Sequence, residues 1–205
     1  MLTLYTKAEC PFCWKVRMVL ALKSLSYQAI EVDTHNKPAE LLALSAKGTV
    51  PVLVVDNEVL DESAAIVAYL DRHVETPPLL TAPAAQALQN YSDKNIGPQI
   101  RDAIFIRREQ PEAEWDHAVL SQCQCAWEHI LEHLEGQCSP SGPWFLGDTP
   151  SIADCALCAR FALAQYYGLH GVDKYPNLSA WITRLYQSNA FRQACPAHIY
   201  DALLA

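Results

Sequence analysis

Cys10-Pro11-Phe12-Cys13 sets two thiols one helical turn apart, directly after the short apolar run Leu2-Thr3-Leu4-Tyr5 and at the head of the amphipathic stretch Trp14 to Leu25. That order predicts a strand-to-helix junction. The first backbone N–H groups of a helix have no internal partner and carry the positive end of its dipole. A thiolate there is stabilised, and the thiol pKa falls from about 8.5 into a range of roughly 3.5–7.5. Lys7, Lys15 and Arg17 are expected to add positive charge nearby, and Pro11 suits the first helical position because its missing N–H would be unpaired anyway. The chemistry this favours is thiol–disulfide exchange. Cys10, on the solvent side, attacks; Cys13, one turn in and more buried, can resolve the mixed disulfide. Two small apolar residues at a packing point are the bland alternative, but a Cys-x-x-Cys within a βαβ pattern is itself a redox signature.

The elements that must hold this pair are legible around it. Leu2–Tyr5 reads as a strand, Pro11–Leu25 as a helix, Tyr27–Asp33 as a second strand and Pro38–Leu44 as a short helix, with Gly48 ending the connection after it. Val52–Val55 and Glu58–Leu60 read as a hairpin around Asp56-Asn57. Ser63 is expected to cap a helix carrying Ala65, Ile66, Tyr69 and Leu70 at helical period. The order is βαβαββα, an α/β unit over residues 1–76. Thr76-Pro77-Pro78 and Thr81-Ala82-Pro83 are too proline-dense for regular structure, so 77–84 reads as a linker. Residues 85–205 read as an all-helical domain, with long patterns over Ala84–Arg107, Trp115–Leu134, Ile152–Tyr167 and Pro176–Asn189 and a tail helix near Ile199–Leu203. Ser151-Ile152-Ala153-Asp154 has the form of a capping box, a structural device.

The 205 residues suffice for two modest domains. A net charge of −8 argues against a general affinity for nucleic acid or an anionic membrane. Five of the seven lysines nevertheless fall in the first 76 residues (Lys7, Lys15, Lys23, Lys37, Lys47), local positive charge that suits a small anionic ligand. No stretch approaches the roughly 20 apolar residues that span a bilayer, and Glu9, Lys15 and Arg17 interrupt any signal-peptide core. Eight cysteines without an export signal point to a reducing compartment, so a cytoplasmic protein without a disulfide framework is expected.

Cys10-Pro11-Phe12-Cys13, Thr49-Val50-Pro51-Val52-Leu53 and Asp61-Glu62-Ser63-Ala64-Ala65-Ile66 resemble the three glutathione-site segments of the glutathione transferase superfamily. Trp144-Phe145-Leu146-Gly147-Asp148 with Ser151–Asp154, and Tyr175-Pro176-Asn177-Leu178 with Trp181, resemble its helical-domain signatures. The matches run in order over nearly the whole chain. The cysteine motif departs from members that use tyrosine or serine; it is closer to the omega-like transferases and closer still to the large bacterial glutaredoxins of the same fold. The resemblance implies a thioredoxin-like domain followed by an all-α domain, with glutathione as cosubstrate and no metal. It implies that Pro51 is cis and faces the cysteines, against the trans form that an X-Pro bond alone favours, with the Val50 N–H and C=O pairing with glutathione's cysteinyl backbone as in strand addition. It further implies that Glu62 holds the γ-glutamyl ammonium and Ser63, at a helix start, the γ-glutamyl carboxylate. Lys37 is the candidate for the glycyl carboxylate, on charge and approximate placement.

The function expected is glutathione-dependent reduction of glutathionylated or other disulfide substrates through Cys10. Two alternatives stay open: a transferase or dehalogenase-like enzyme whose glutathione attacks an electrophile, and a non-enzymatic binding protein of the same fold. Dimerisation is common in the fold and is left open. Three other motifs are set aside. Cys155-Ala156-Leu157-Cys158 lies inside a helix, where Cys155, Cys158, Ala159 and Ala162 form a stripe suited to close helix packing. Cys123 and Cys125 face different ways, without the turn-rich loops of a zinc site. His129-Ile130-Leu131-Glu132-His133 matches a metalloprotease pattern in form only, on a solvated face with no third ligand.

Overall fold

The computed structural model describes residues 1–56, 58–74 and 76–205. Four strands, β1 (Leu2–Thr6), β2 (Gln28–Glu31), β3 (Val52–Val55) and β4 (Glu58–Leu60), form one mixed sheet in the order β2-β1-β3-β4. β1 pairs parallel with β2 and antiparallel with β3, and β3 pairs antiparallel with β4. Alternation along the strands divides the sheet's two faces. Leu4 and Leu53 point into the main core beside α1 (Pro11–Leu22) and α3 (Ser63–His73). Their neighbours Tyr5 and Val52 point the other way, where with Val32 they meet Leu41 of α2 (Ala39–Leu44).

The register carries a functional consequence. Thr6 at the end of β1 lies beside Glu31 at the end of β2, Tyr5 lies beside Val52 at the start of β3, and Leu53 lies beside Leu60 at the end of β4. The loop into α1, the loop carrying Lys37, the Val50-Pro51 peptide and the start of α3 therefore all leave from one end of the sheet.

From Pro83 onward the chain is helical: α4 (Pro83–Tyr91), a π-turn over Ser92–Ile96, α5 (Gly97–Glu109), α6 (His117–Glu135), α7 (Ile152–Tyr166), α8 (Pro176–Gln187), α9 (Asn189–Ala194) and α10 (Ala197–Leu204). The stretch expected as one helix over 84–107 is helical throughout, with the π-turn as a bulge between α4 and α5 that delivers the chain to Gly97-Pro98. α1 ends at Leu22 rather than Leu25, because Ser24 takes a left-handed conformation with φ 53°. The short α9 is not visible in the sequence pattern. Ser63 is not the cap of α3: Glu62 occupies that position, in extended conformation and without a side-chain capping bond, and Ser63 is the first helical residue. The expected two-residue hairpin turn includes Asn57, which lies outside the described residues.

A predominantly apolar helix is buried on most sides, and α1 and α7 are such helices despite the buried Lys15, Arg17, Asp154 and Arg160. Every residue from Cys13 to Leu20 and from Ile152 to Ala164 is buried. The two helices pack on each other and share one continuous core that runs from the sheet to the far helices. Within it Trp127, Phe161, Trp181 and Phe145 meet edge to face, with centroids 5.0, 5.2 and 5.1 Å apart. The capping box at the start of α7 is present. The buried Asp154 carboxylate accepts from Ser151 N and Oγ, and also from Phe145 N and Trp181 Nε1. The proline-rich segment is tied down as well. Lys23, buried on α1's side, pairs with Asp71 at 2.9 Å and donates to the carbonyls of Val74 and Pro77, while Asp71 accepts from Leu79 N and Leu80 N. Among the described residues no helix is long and apolar enough to cross a membrane.

Candidate functional site

Cys10 occupies the capping position of α1, extended at φ −77° and ψ 117°, with Pro11 as the first helical residue. Its N–H donates to Lys7 O at 3.1 Å, which folds the loop over 7–10 into a turn and leaves the side chain at the helix mouth. The side chain is half-buried, whereas Cys13 is fully buried behind it. The Cys10 thiol is lowered to about 6. The Cys13 thiol donating to the Cys10 sulfur is the main cause, working against burial, and is helped by the backbone N–H groups of Cys13 and Phe12 and by the charge of Arg17. Cys13 moves the opposite way, well above the usual thiol range, because burial and the neighbouring Cys10 anion both disfavour its ionisation. The pair is thus divided into one anion and one proton donor. All eight cysteines are free.

The lysines do not supply the expected positive charge. Lys15 is 1% exposed and turned away, with Nζ 2.6 Å from Asp93. Lys7 donates to Thr34 Oγ1 at 2.7 Å. Arg17 is the exception, and its first task is mechanical. Its guanidinium donates to Thr6 Oγ1, Lys7 O and Ala8 O on the loop before Cys10, and to Ala194 O at the end of α9. Glu9 reaches the helical half too, accepting from Tyr167 Oη at 2.6 Å and lying 3.0 Å from His198 Nε2. Neither tether has a local sequence signal, since the partners are 158 to 189 residues away.

The Val50-Pro51 bond is cis, and the Val50 carbonyl lies 3.9 Å from the Cys10 sulfur. Glu62 and Ser63 stand at the start of α3, at the same end of the sheet. Glu62 forms an exposed ion pair with Lys47, and the neighbouring Asp61 accepts from Ser45 Oγ at 3.1 Å. Lys37 lies in the loop after β2, where its side chain crosses Gly48, whose φ of 55° suits glycine. Cys10, Cys13, Val50 and Pro51 are therefore brought into one neighbourhood. Glu62, Ser63 and Lys37 share its end of the sheet without touching the thiol.

On the opposite side of Cys10 is a cavity of about 600 Å³ between the sheet end and α5–α7. It is the size of a small-ligand pocket. Phe12, Pro98, Ile104, Phe105 and Leu163 give it apolar walls, and Lys7, Arg101, Arg108 and Arg160 bring charge. These helical residues escaped sequence reasoning, because only the packing of α5 against α7 aims them at Cys10.

The remaining motifs fall where expected. Cys155 and Cys158 are fully buried, Cys123 is buried while Cys125 is exposed, His129 bonds to Cys125 O in its own helix and His133 to Gln137 just beyond the helix end. Among the described residues no cluster of three or more potential metal ligands exists.

Comparison with known proteins agrees with this arrangement. The sequence model of the family described as "Glutathione S-transferase, N-terminal domain" matches residues 9–73, and that of "Glutathione S-transferase, C-terminal domain" matches residues 118–184. A maleylacetoacetate isomerase of Pseudomonas aeruginosa is 30% identical over 97% of both chains. A probable cytosolic glutathione S-transferase of Oryza sativa subsp. japonica, DHAR1, is 26% identical over 91% of this chain and 84% of its own. A crystal structure of a glutathione S-transferase from Rhodospirillum rubrum has the same fold, with a TM-score of 0.84 at 23% identity over 98% of this chain and 99% of that one. With its thioredoxin-like half, its helical half and its cysteine at the mouth of α1, the chain belongs to the glutathione transferase superfamily, a family of glutathione-dependent enzymes.

Proposed function

We propose that this protein is a glutathione-dependent thiol–disulfide oxidoreductase that reduces glutathione mixed disulfides through Cys10. The observation that carries the reading is the divided cysteine pair: a half-buried thiol lowered to about 6 above a buried, protonated one, at the edge of an open cavity. At neutral pH Cys10 is mostly thiolate, the form that attacks disulfides. The Cys10 thiolate attacks the glutathione sulfur of the mixed disulfide, forming a Cys10–glutathione disulfide and expelling the substrate as a thiolate. A second glutathione then attacks that bond through its own thiolate, releasing glutathione disulfide and restoring the Cys10 anion. The proton given up by the second glutathione ends on the departing substrate thiol. Cys13 offers a second route. Its sulfur attacks the Cys10 mixed disulfide while its proton passes to the glutathione or protein thiolate it displaces. Two glutathiones then reduce the Cys10–Cys13 disulfide, leaving as glutathione disulfide.

For glutathione itself we assign the Val50 backbone beside Pro51 to the cysteinyl peptide group. Ser63 at the start of α3 takes the γ-glutamyl carboxylate, Glu62 the ammonium, and Lys37 the glycyl carboxylate. The Lys47–Glu62 pair is exposed, so it contributes little and yields readily to an incoming ammonium.

The test compares reduction of the glutathione–2-mercaptoethanol mixed disulfide with conjugation of a chloroaromatic at pH 7. The proposal requires disulfide reduction to be the far faster reaction. Faster conjugation would make glutathione, rather than Cys10, the nucleophile. Cys13→Ser is expected to retain reduction of the glutathione mixed disulfide and to lose reduction of protein disulfides that needs both thiols.

A further inference from the structure

The cavity beside Cys10 contains a buried guanidinium that, among the described residues, no carboxylate holds in an ion pair. Arg160, on the cavity-facing side of α7, is 6% exposed, and its Nε is buried with no hydrogen-bond partner. Among the described residues no acidic side chain forms an ion pair with it. None of the acids on the cavity wall pairs with it directly. Asp93 is held by Lys15 at 2.6 Å and Glu9 by Tyr167 and His198, while Asp102 makes no ion pair among the described residues. Burying a guanidinium without an ion pair is costly; desolvation lowers its proton affinity, offset in part by the more distant charges of Asp93 and Cys10.

The surroundings preserve this charge rather than relieve it. The Arg160 guanidinium carbon lies 5.1 Å from the centre of the Phe12 ring, between the two cysteines of the motif, which fixes the head group near the thiol. Gly97 packs directly against the guanidinium, and a Cβ there would come within 2.8 Å of its carbon. The π-turn ahead of Gly97 thus delivers a residue with no side chain where the head group needs space. A π-turn is often found at functional positions.

We propose that Arg160 is the binding site for an anionic group on the second substrate: the disulfide reduced at Cys10 carries a carboxylate or sulfonate on its non-glutathione half. The anion pairs with the guanidinium, in the forked geometry that arginine offers to carboxylates, while the body of the molecule lies against Phe12, Phe105 and Leu163. This assignment of substrate class rests on the thiol–disulfide reading of Cys10.

Two measurements test it. In the first, kcat/KM is compared for mixed disulfides of glutathione with 3-mercaptopropionate, 2-mercaptoethanol and cysteamine. The wild type is expected to prefer the anionic over the neutral disulfide, and the neutral over the cationic. Arg160→Gln should reduce the anionic-to-neutral ratio by roughly ten- to a hundredfold, and Arg160→Lys should restore part of it. A ratio insensitive to Arg160→Gln overturns the proposal, as does a loss that appears in kcat/KM for glutathione rather than for the disulfide. The second measurement needs no glutathione: alkylation of Cys10 by iodoacetate against iodoacetamide, in which the thiolate displaces iodide. The iodoacetate-to-iodoacetamide ratio should fall about tenfold in Arg160→Gln, and an unchanged ratio overturns the subsite. If no mixed disulfide is turned over while that ratio still depends on Arg160, the redox reading falls and the anion site stands. Gly97→Ala, which crowds the guanidinium without removing it, should lower both ratios and serves if Arg160→Gln does not fold.

Discussion

The chain contains the same four-residue spacing of cysteines twice, and the two copies behave in opposite ways. Cys10 and Cys13 straddle the mouth of α1, where unpaired N–H groups, a donor thiol and Arg17 bring one sulfur down to about 6. Cys155 and Cys158 lie one and two turns into α7, behind the Ser151–Asp154 capping box that closes its start. Both are fully buried, burial pushes both thiols far up, and Cys158 donates to the carbonyl of Cys155 at 3.2 Å. Spacing alone therefore says nothing about reactivity. What decides it is whether the first sulfur meets the free end of a helix or its closed interior.

The widest separation between the copies should appear on removing the sulfur itself. Cys10→Ser is expected to lower mixed-disulfide reduction by about 10³-fold or more, while Cys155→Ala leaves kcat/KM within a factor of two. Equal losses would mean that chemistry does not run through the helix mouth.

The pH dependence of alkylation draws the contrast next. The anion is the reactive form and its proton affinity is lowered, so Cys10 reactivity should be present above pH 6 and fall as pH drops through about 6. Cys155 and Cys158 should remain unlabelled until the protein is unfolded, as followed by mass spectrometry. A midpoint for Cys10 near the usual thiol value would remove the basis of the proposed mechanism. Replacing the donor sharpens this further: Cys13→Ala should raise the Cys10 midpoint by about one unit, a roughly fivefold lower rate at pH 6. The smallest effect is expected at the inert copy. Cys158→Ala should cost about 1 kcal/mol of stability in denaturant melts and leave the Cys10 midpoint where it was.

Most of the scaffold was readable because it is local. Pro11 at a helix start, the short apolar runs that become β1 and β3, and the Ser151–Asp154 box each depend on neighbours a few residues away. The cysteine motif and the proline that faces it could be placed for the same reason, the latter through family resemblance. The charge around the thiol could not. Lys15 and Arg17 are two residues apart in the motif's own helix, yet one is drawn off by Asp93 and the other is shared among three loop residues and the end of α9. Arg160 was invisible for the same cause. It reads as a stray basic residue in a mostly apolar helix until α5 is packed opposite it.

Because α1 is wrapped on every side, with Lys15, Arg17 and Glu9 all fastened to later helices, the thiol-bearing half has no surface along which it could be cut free. Expressed alone, residues 1–76 would bare Trp14, Met18 and the rest of that rod to water and should collapse or aggregate rather than act as a miniature reductase. Heat or denaturant should accordingly melt both halves in a single cooperative step, with the reactive sulfur losing its low proton affinity at the same midpoint as the distant tryptophans lose their environment.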